Sequence, residues 1–288
     1  MNRGEWNGAT YSPLAEQLSP ASMEALSAIG HVSTVYDVCA GTGNFALPAA
    51  RSGIAVHALD LSASQLEVAR ERWIPHPGTT EPTFTVGDAQ SLPWPDSSAD
   101  ACVSIFGIIF CPDPAIALSE MMRVTRPGGS VCVATWSENG WAAALRREAA
   151  SAWNGITPLP TTWSNSSEFE KAAAGLVSVR STSHVLEWHL PAGSDPVEEL
   201  CDQAPALKDF RETVRRAGNW ASMSAHLRST LAPYLRSSAA SPVATSEYIL
   251  HVGTVPNADT APFRRAGNQL CRIRSPHRPT TRRGPLDV

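Results

Sequence analysis

Three acids stand at the ends of short apolar runs, and a glycine turn follows the first of them. Asp37 lies within Val35–Val38, and Cys39-Ala40-Gly41-Thr42-Gly43 comes next. Asp60 closes Ala55–Leu59, and Asp88 follows Thr83–Val86 and Gly87. Glycine after a strand lets a ligand approach the backbone without meeting a side chain. A phosphate-binding turn wants bare amides and no carboxylate nearby. Asp37 would repel a pyrophosphate and attract a cationic amino group or ribose hydroxyls. Asp60 falls 23 residues after Asp37, where doubly wound folds place an acid that accepts hydrogen bonds from ribose hydroxyls. Taken singly, the glycine turn also suits a dinucleotide site or a plain strand-to-helix connection.

These residues need a sheet to bring them together. The periodicity predicts strands at Thr34–Val38, Ala55–Leu59, Thr83–Val86, Ala101–Phe106 and Ser130–Thr135. Helices alternate with them. One enters at Asn44 and runs to about Ser52, with Pro48 near its first turn, where few amide bonds are lost. One starts behind Ser62, with Gln65 completing a capping box, and runs to about Trp73. One is capped by Asp113 with Pro114 at its first position and ends near Arg126, before Pro127-Gly128-Gly129. Alternating units of this length predict a right-handed, doubly wound, mostly parallel α/β sheet with helices on both faces. Ligands of such sheets gather at the carboxyl ends of the strands, where Gly41, Asp60, Asp88 and Phe106 all fall. After Trp136 the pattern weakens. A helix over Ser137–Ala152, another at Ser166–Ala174, strands at Leu176–Thr182 and Val185–Leu190, helices at Val197–Leu207, Phe210–Ala217 and Ala225–Leu235, and a last strand at Glu247–Val252 are expected.

Composition narrows the class. An apolar content of 43%, a charged content of 17% and a net charge of −4 describe a globular protein with no global attraction to nucleic acid. No apolar run reaches the ~20 residues that span a bilayer, and M-N-R-G-E-W-N-G lacks the apolar core of a signal peptide. A cytoplasmic protein is expected. The six cysteines (Cys39, Cys102, Cys111, Cys132, Cys201 and Cys271) form no C-x-x-C pair and read as small core residues. His184, His189, His226 and His251 have no ligand spacing, and no metal site is expected.

D-V-C-A-G-T-G resembles the first motif, acid-x-G-x-G-x-G, of the class I S-adenosylmethionine-dependent methyltransferases, with Cys39 at the first glycine position. G-D-A-x-x-L-P at Gly87–Pro93 resembles the family's next cofactor motif, and R-V-x-R-P-G-G at Arg123–Gly129 its helix end and turn into the next strand. The likeness covers residues 31–136 and, more weakly, 137–255. It is to the methyltransferase type 11 group, which includes ubiquinone and menaquinone methyltransferase-like proteins. The resemblance implies a Rossmann-like, seven-stranded sheet with a helical lid insertion and the cofactor S-adenosyl-L-methionine. It implies an acceptor that is a small molecule, of specialised metabolism on this reading, methylated on O, N or C. By the same resemblance Asp37, Ala40, Gly41 and Gly43 face the methionine part and ribose, Asp60 the ribose, and Asp88 and Ala89 the adenine. Leu61 and Leu92 would sandwich the adenine, and Phe106 would lie beside the sulfonium. The segment before the sheet would fold over the cofactor, with Tyr11, Trp6 and Trp136 as pocket candidates. No residue stands out as a general base, and the catalytic group is left unassigned.

The organisation read from this is an N-terminal helical cap at 1–30, a cofactor-binding core at 31–136, a completion of the sheet with a helical substrate lid at 137–255, and an arginine-rich, disordered tail at 256–288. Three alternatives stay open: a non-methyl-transfer reaction such as a cyclisation on the same cofactor, a nonenzymatic binding protein, and a nucleotide-cofactor oxidoreductase. Asp37 and G-D-A disfavour the last. Phe110-Cys111-Pro112-Asp113 stands where nucleic-acid methyltransferases carry N-P-P-Y or D-P-P-Y.

Overall fold

The computed structural model describes residues 17–152, 163–203, 205–237 and 241–257. The strands are β1 (Thr34–Val38), β2 (Ala55–Asp60), β3 (Thr83–Val86), β4 (Ala99–Ile105), β5 (Thr125–Gly140), β6 (Val177–His189), β7 (Leu235–Ser237) and β8 (Pro242–Thr254). The helices are α1 (Ser19–Ile29), α2 (Ala46–Arg51), α3 (Ala63–Arg72), α4 (Pro114–Val124), α5 (Trp141–Ala152), α6 (Ser166–Ala172), α7 (Pro196–Cys201), α8 (Pro205–Arg216) and α9 (Trp220–Leu231). The sheet runs β3-β2-β1-β4-β5-β8-β6, with β7 added against β8. β1 through β5 pair in parallel, and β8 runs antiparallel to β5, β6 and β7. The fold is therefore the doubly wound, mostly parallel α/β arrangement. Among the described residues it has eight strands rather than seven, because β7 pairs with Pro242–Ala244, beyond the point where β5 leaves β8.

The alternation along the strands divides the interior into two cores. Val35, Ala101, Val103, Cys132 and Ala134 face α1, α2, α5 and α7–α9. Tyr36, Val38, Cys102, Val131 and Val133 face α4 and α6. Side chains of a strand point to opposite faces in turn, so a central parallel strand must be apolar on both. β1 follows this, with every residue from Val35 to Val38 buried, and Asp37 is therefore conspicuous.

Local chemistry sets most boundaries. Asp113 accepts the amides of Ala115 and Ile116 and starts α4. Ser62 caps α3 by accepting the Gln65 amide. The reciprocal half of the expected capping box is absent: the Ser62 amide donates to Asp60 Oδ1 at 2.9 Å, and Gln65 Oε1 is left without a partner. α4 stops at Val124, earlier than Arg126, because Thr125 already pairs with Ala99. The two strands expected at 176–182 and 185–190 are one edge strand, β6, whose polar Ser181-Thr182-Ser183-His184 stretch pairs with Tyr248–His251 and turns alternate side chains outward. The helix expected over 197–207 breaks after Cys201, and Pro205 opens the next. α9 begins at Trp220 and ends at Leu231, leaving Leu235 to β7.

Among the described residues no helix is long and apolar enough to cross a membrane, and no group of three or more His, Cys, Asp and Glu could hold a metal ion. His251 is buried in the sheet, bonded to Ser181 at 2.8 Å and Thr135 at 3.1 Å and stacked on Phe169. Burial pushes it down to about 4 and keeps it neutral.

Candidate functional site

A cavity of about 330 Å³ opens at the carboxyl ends of β1, β2, β3 and β4. It is lined by Asp37, Ala40, Gly41, Asp60, Leu61, Asp88, Ala89 and Phe106. Strand ends of a parallel sheet stop level with one another, so loops from distant parts of the chain meet there.

The turn after β1 is built from unusual backbone conformations. Cys39 sits at φ 60°, Gly41 at φ 55° and Gly43 at φ 83°. Glycine takes the left-handed region freely, whereas an L side chain there costs about 1 kcal/mol or more. Cys39 thus carries strain at a position where the family motif has glycine. A Cβ on Gly41 would meet nothing within 4 Å, and its backbone is open to a ligand. Gly43 behaves differently. Its Cβ would lie 2.9 Å from Leu47 Cγ and 3.2 Å from Ala69 Cβ, so it packs α2 against α3. The expectation that Gly43 faces the ligand is corrected: it lies off the cavity and serves helix packing.

Asp60 holds the turn. Its Oδ2 accepts the Gly41 amide at 2.8 Å and its Oδ1 the Ser62 amide at 2.9 Å. Burial pushes its carboxyl above the ordinary range, while these amides draw it back. Asp37 is 2% exposed, and its Oδ2 has no partner. Burial pushes it up to about 8, an amide bond from Ala46 opposes the shift, and the nearby Asp60 adds to it. An acid buried this deeply with an idle oxygen on a cavity wall is poised for a cation.

On the far wall Asp88 Oδ1 accepts the Gln90 amide, Ala89 is buried, and Leu61 is half exposed over the opening. Leu92 is not opposite it. It is buried in the core below, its amide bonded to Glu120 and its carbonyl to Arg123. Arg123 also reaches the Trp94 carbonyl and Asp96, so R-V-x-R-P-G-G anchors the loop after β3 as well as ending α4. Phe106, at φ 58°, lines the cavity and stacks on Trp136 at 4.1 Å. Trp136 therefore supports Phe106 from behind and does not line the cavity. Tyr11 and Trp6 lie outside the described residues; among the described residues of the N-terminal segment, Leu18 reaches the cavity. Sequence reasoning missed Asn44, Gln65, Gly107 and Cys111 as lining residues. Gly107 had a readable signal, because it follows β4 directly. Its Cβ would come 2.3 Å from that of Cys39.

Residues 36–133 match the family described as "Methyltransferase domain". An uncharacterised protein of Mycobacterium tuberculosis is 34% identical over 143 residues, 49% of this chain and 52% of that protein. A demethylmenaquinone methyltransferase of Renibacterium salmoninarum is 41% identical over 114 residues, 39% of this chain and 46% of the enzyme. The segment is a class I S-adenosylmethionine-dependent methyltransferase domain. The chain spans about half the length of the curated relatives it matches. The fold of the YcgJ protein from Bacillus subtilis is similar, with a TM-score of 0.55 at 18% identity, covering 84% of this chain and 99% of that one. In the methyltransferase domain the cavity lies where the first and second cofactor motifs meet. The open backbone at Gly41 and the idle oxygen of Asp37 fit a cofactor with a cationic amino group and ribose hydroxyls. A pyrophosphate would face Asp37, Asp60 and Asp88 together.

Proposed function

We propose that the protein transfers a methyl group from S-adenosylmethionine to the O, N or C atom of a small-molecule acceptor. The observation that carries this reading is the buried, unpartnered carboxylate oxygen of Asp37 in the wall of a cavity ringed by the motif residues. Asp37 would hold the amino group, the Gly41 backbone the methionine part, Asp60 the ribose hydroxyls, Asp88 and Ala89 the adenine, and Phe106 the sulfonium side. When bound, the cofactor supplies an electrophilic methyl on a sulfonium whose departure leaves a neutral thioether. The chain's own task is to fix the acceptor in line and exclude water. Phe106 and the Trp136 ring behind it offer an apolar wall for that purpose.

Relatives whose names carry acceptors as different as demethylmenaquinone and malonyl-[acyl-carrier protein] match 36–42% of this chain. Acceptor choice therefore belongs, on this reading, to residues 137–255. The free thiols buried through the core suit a reducing compartment, the cytoplasm.

Calorimetric titration with S-adenosylmethionine and with NAD tests the cofactor. Saturable binding of S-adenosylmethionine alone is expected, followed by release of S-adenosylhomocysteine when a panel of phenolic, amine and carbon-acid acceptors is supplied. Binding of NAD alone would overturn the reading.

A further inference from the structure

The unfinished capping box at the start of α3 leaves a polar side chain in the cavity wall. Gln65 sits three residues after Ser62, where its side chain would ordinarily reach back to the Ser62 amide. Asp60 Oδ1 has taken that amide at 2.9 Å. Gln65 is released to face the cavity. It is 3% exposed and lines the cavity, and among the described residues its Oε1 has no hydrogen-bond partner. A buried polar atom left unbonded is a standing cost to the fold, tolerated where a ligand completes it.

One face of α3 fixes where that oxygen lies. Gln65, Ala69 and Arg72 are four and then three residues apart and share a face. Ala69 packs on the glycine turn, its Cβ 3.2 Å from the place a Cβ on Gly43 would take. Arg72 Nη1 donates to the Thr42 carbonyl at 2.8 Å, to Thr42 Oγ1 at 3.0 Å and to Asn44 Oδ1 at 3.1 Å. The face is thus pinned along the turn, and Gln65 is its cavity end, in the wall that also holds Asp60 and Gly41.

We infer that Gln65 is a specificity-determining residue of the cavity: its Oε1 accepts a hydrogen bond from a ribose hydroxyl, and the site thereby selects a ribonucleoside over its deoxy counterpart. The inference rests on the cofactor reading above. An amide oxygen can only accept. S-adenosylmethionine brings an ammonium, two ribose hydroxyls and the adenine amine as donors. On that reading Asp37 meets the ammonium and Asp88 the amine. Asp60 is left with both hydroxyls, and each of its oxygens already accepts a backbone amide. The idle oxygen of Gln65 is the further acceptor, on the helix whose first residues Asp60 holds through the Ser62 amide. Being neutral, it adds no charge to a wall that already carries Asp37, Asp60 and Asp88.

The test titrates the full chain calorimetrically with S-adenosylhomocysteine and with its 2′-deoxy and 3′-deoxy analogues. Gln65→Met is measured beside it, since methionine keeps the length and bulk of the side chain without its oxygen. The parent should bind one of the two analogues about tenfold more weakly than S-adenosylhomocysteine. Gln65→Met should lose about the same factor for S-adenosylhomocysteine and nothing further for that analogue. Without ligand it should melt no lower than the parent, because the unbonded oxygen is gone. Gln65→Glu, which keeps an acceptor oxygen in place, should keep the parent's preference for the hydroxyl, whatever its absolute affinity. A Gln65→Met variant with the parent's affinity for S-adenosylhomocysteine, or one that weakens all three ligands alike, would overturn the inference. A parent that binds all three equally refutes the inference and leaves the cofactor reading standing. A parent that binds none of them refutes the cofactor reading and this inference with it.

Discussion

The protein buries charge in two places and treats it oppositely. In the helical region Arg211 has a side chain 7% exposed, and it is saturated with acids: Asp202 at 2.6 Å, Glu198 at 3.3 Å and Glu212 at 3.3 Å. It also donates to the Glu198 carbonyl at 3.0 Å. At the cavity Asp37 is as deeply buried and has a single amide bond, an idle oxygen and another acid beside it. A buried charge with every partner supplied by its own chain holds structure together. One left wanting is tolerated where a ligand completes it.

Four substitutions and conditions break or sharpen this contrast. The largest effect on stability belongs to Arg211→Ala. Its acids keep part of their water, so the loss falls short of that for a fully buried pair, at about 2–3 kcal/mol. Hydrogen exchange should show it concentrated in α7–α9, and affinity for S-adenosylhomocysteine should stay within ~3-fold. A comparable loss of affinity would end the division of labour. Asp37→Asn should do the reverse, weakening S-adenosylmethionine by about 1.5–3 kcal/mol, the worth of a charged hydrogen bond, while leaving the ligand-free fold intact. Calorimetry reads the first and thermal unfolding the second.

Asp60→Ala sits between these. It removes a ribose acceptor and also the anchor of the Gly41 and Ser62 amides. Affinity should fall by on the order of 1–3 kcal/mol, and stability should fall with it. Unchanged affinity would show that Asp60 serves the turn alone.

The remaining effect is one of pH. Asp37 is raised from an ordinary 3.8 to about 8 in the folded state. Between those values the native protein holds a proton that the unfolded chain has lost, so stability falls as pH rises, by up to ~1.4 kcal/mol per unit. His251 has the opposite sign. Lowered from 6.5 to about 4, it adds stability as pH rises over that interval and offsets Asp37 there. The ligand-free protein should therefore lose stability chiefly between about pH 6.5 and 8. Relative to Asp37→Asn it should lose ground across the whole interval from about 4 to 8. Parallel unfolding curves for the two proteins would remove Asp37 from the account.

Legibility in the sequence also divides between the regions. Strands β1, β2 and β4 are short and largely buried, β3 is a short, partly exposed edge strand, and all four are bounded by glycine, proline or capping residues, so local pattern places them within two residues. The edge strand β6 buries only part of itself, and its serine-rich stretch reads as a break until pairing with β8 is seen. β8 runs from Pro242 rather than Glu247 because β6 and β7 flank it, which no local pattern records. Within the site, Gly43 and Leu92 were misplaced for one reason: spacing identifies a motif, whereas the direction a side chain faces depends on what packs behind it.

The sequence by itself determined the alternation of strand and helix, the acids at the strand ends and the glycine turn, because these follow from periodicity, capping and the freedom of glycine at positive φ. Only the tertiary structure decided that Asp37 has an unanswered oxygen, that Asp60 is tied to two amides, and that Arg123 holds the loop after β3. The Asp60–Gly41 and Arg123–Trp94 bonds join segments far apart in the chain, set by which strands are neighbours in the sheet and where they stop.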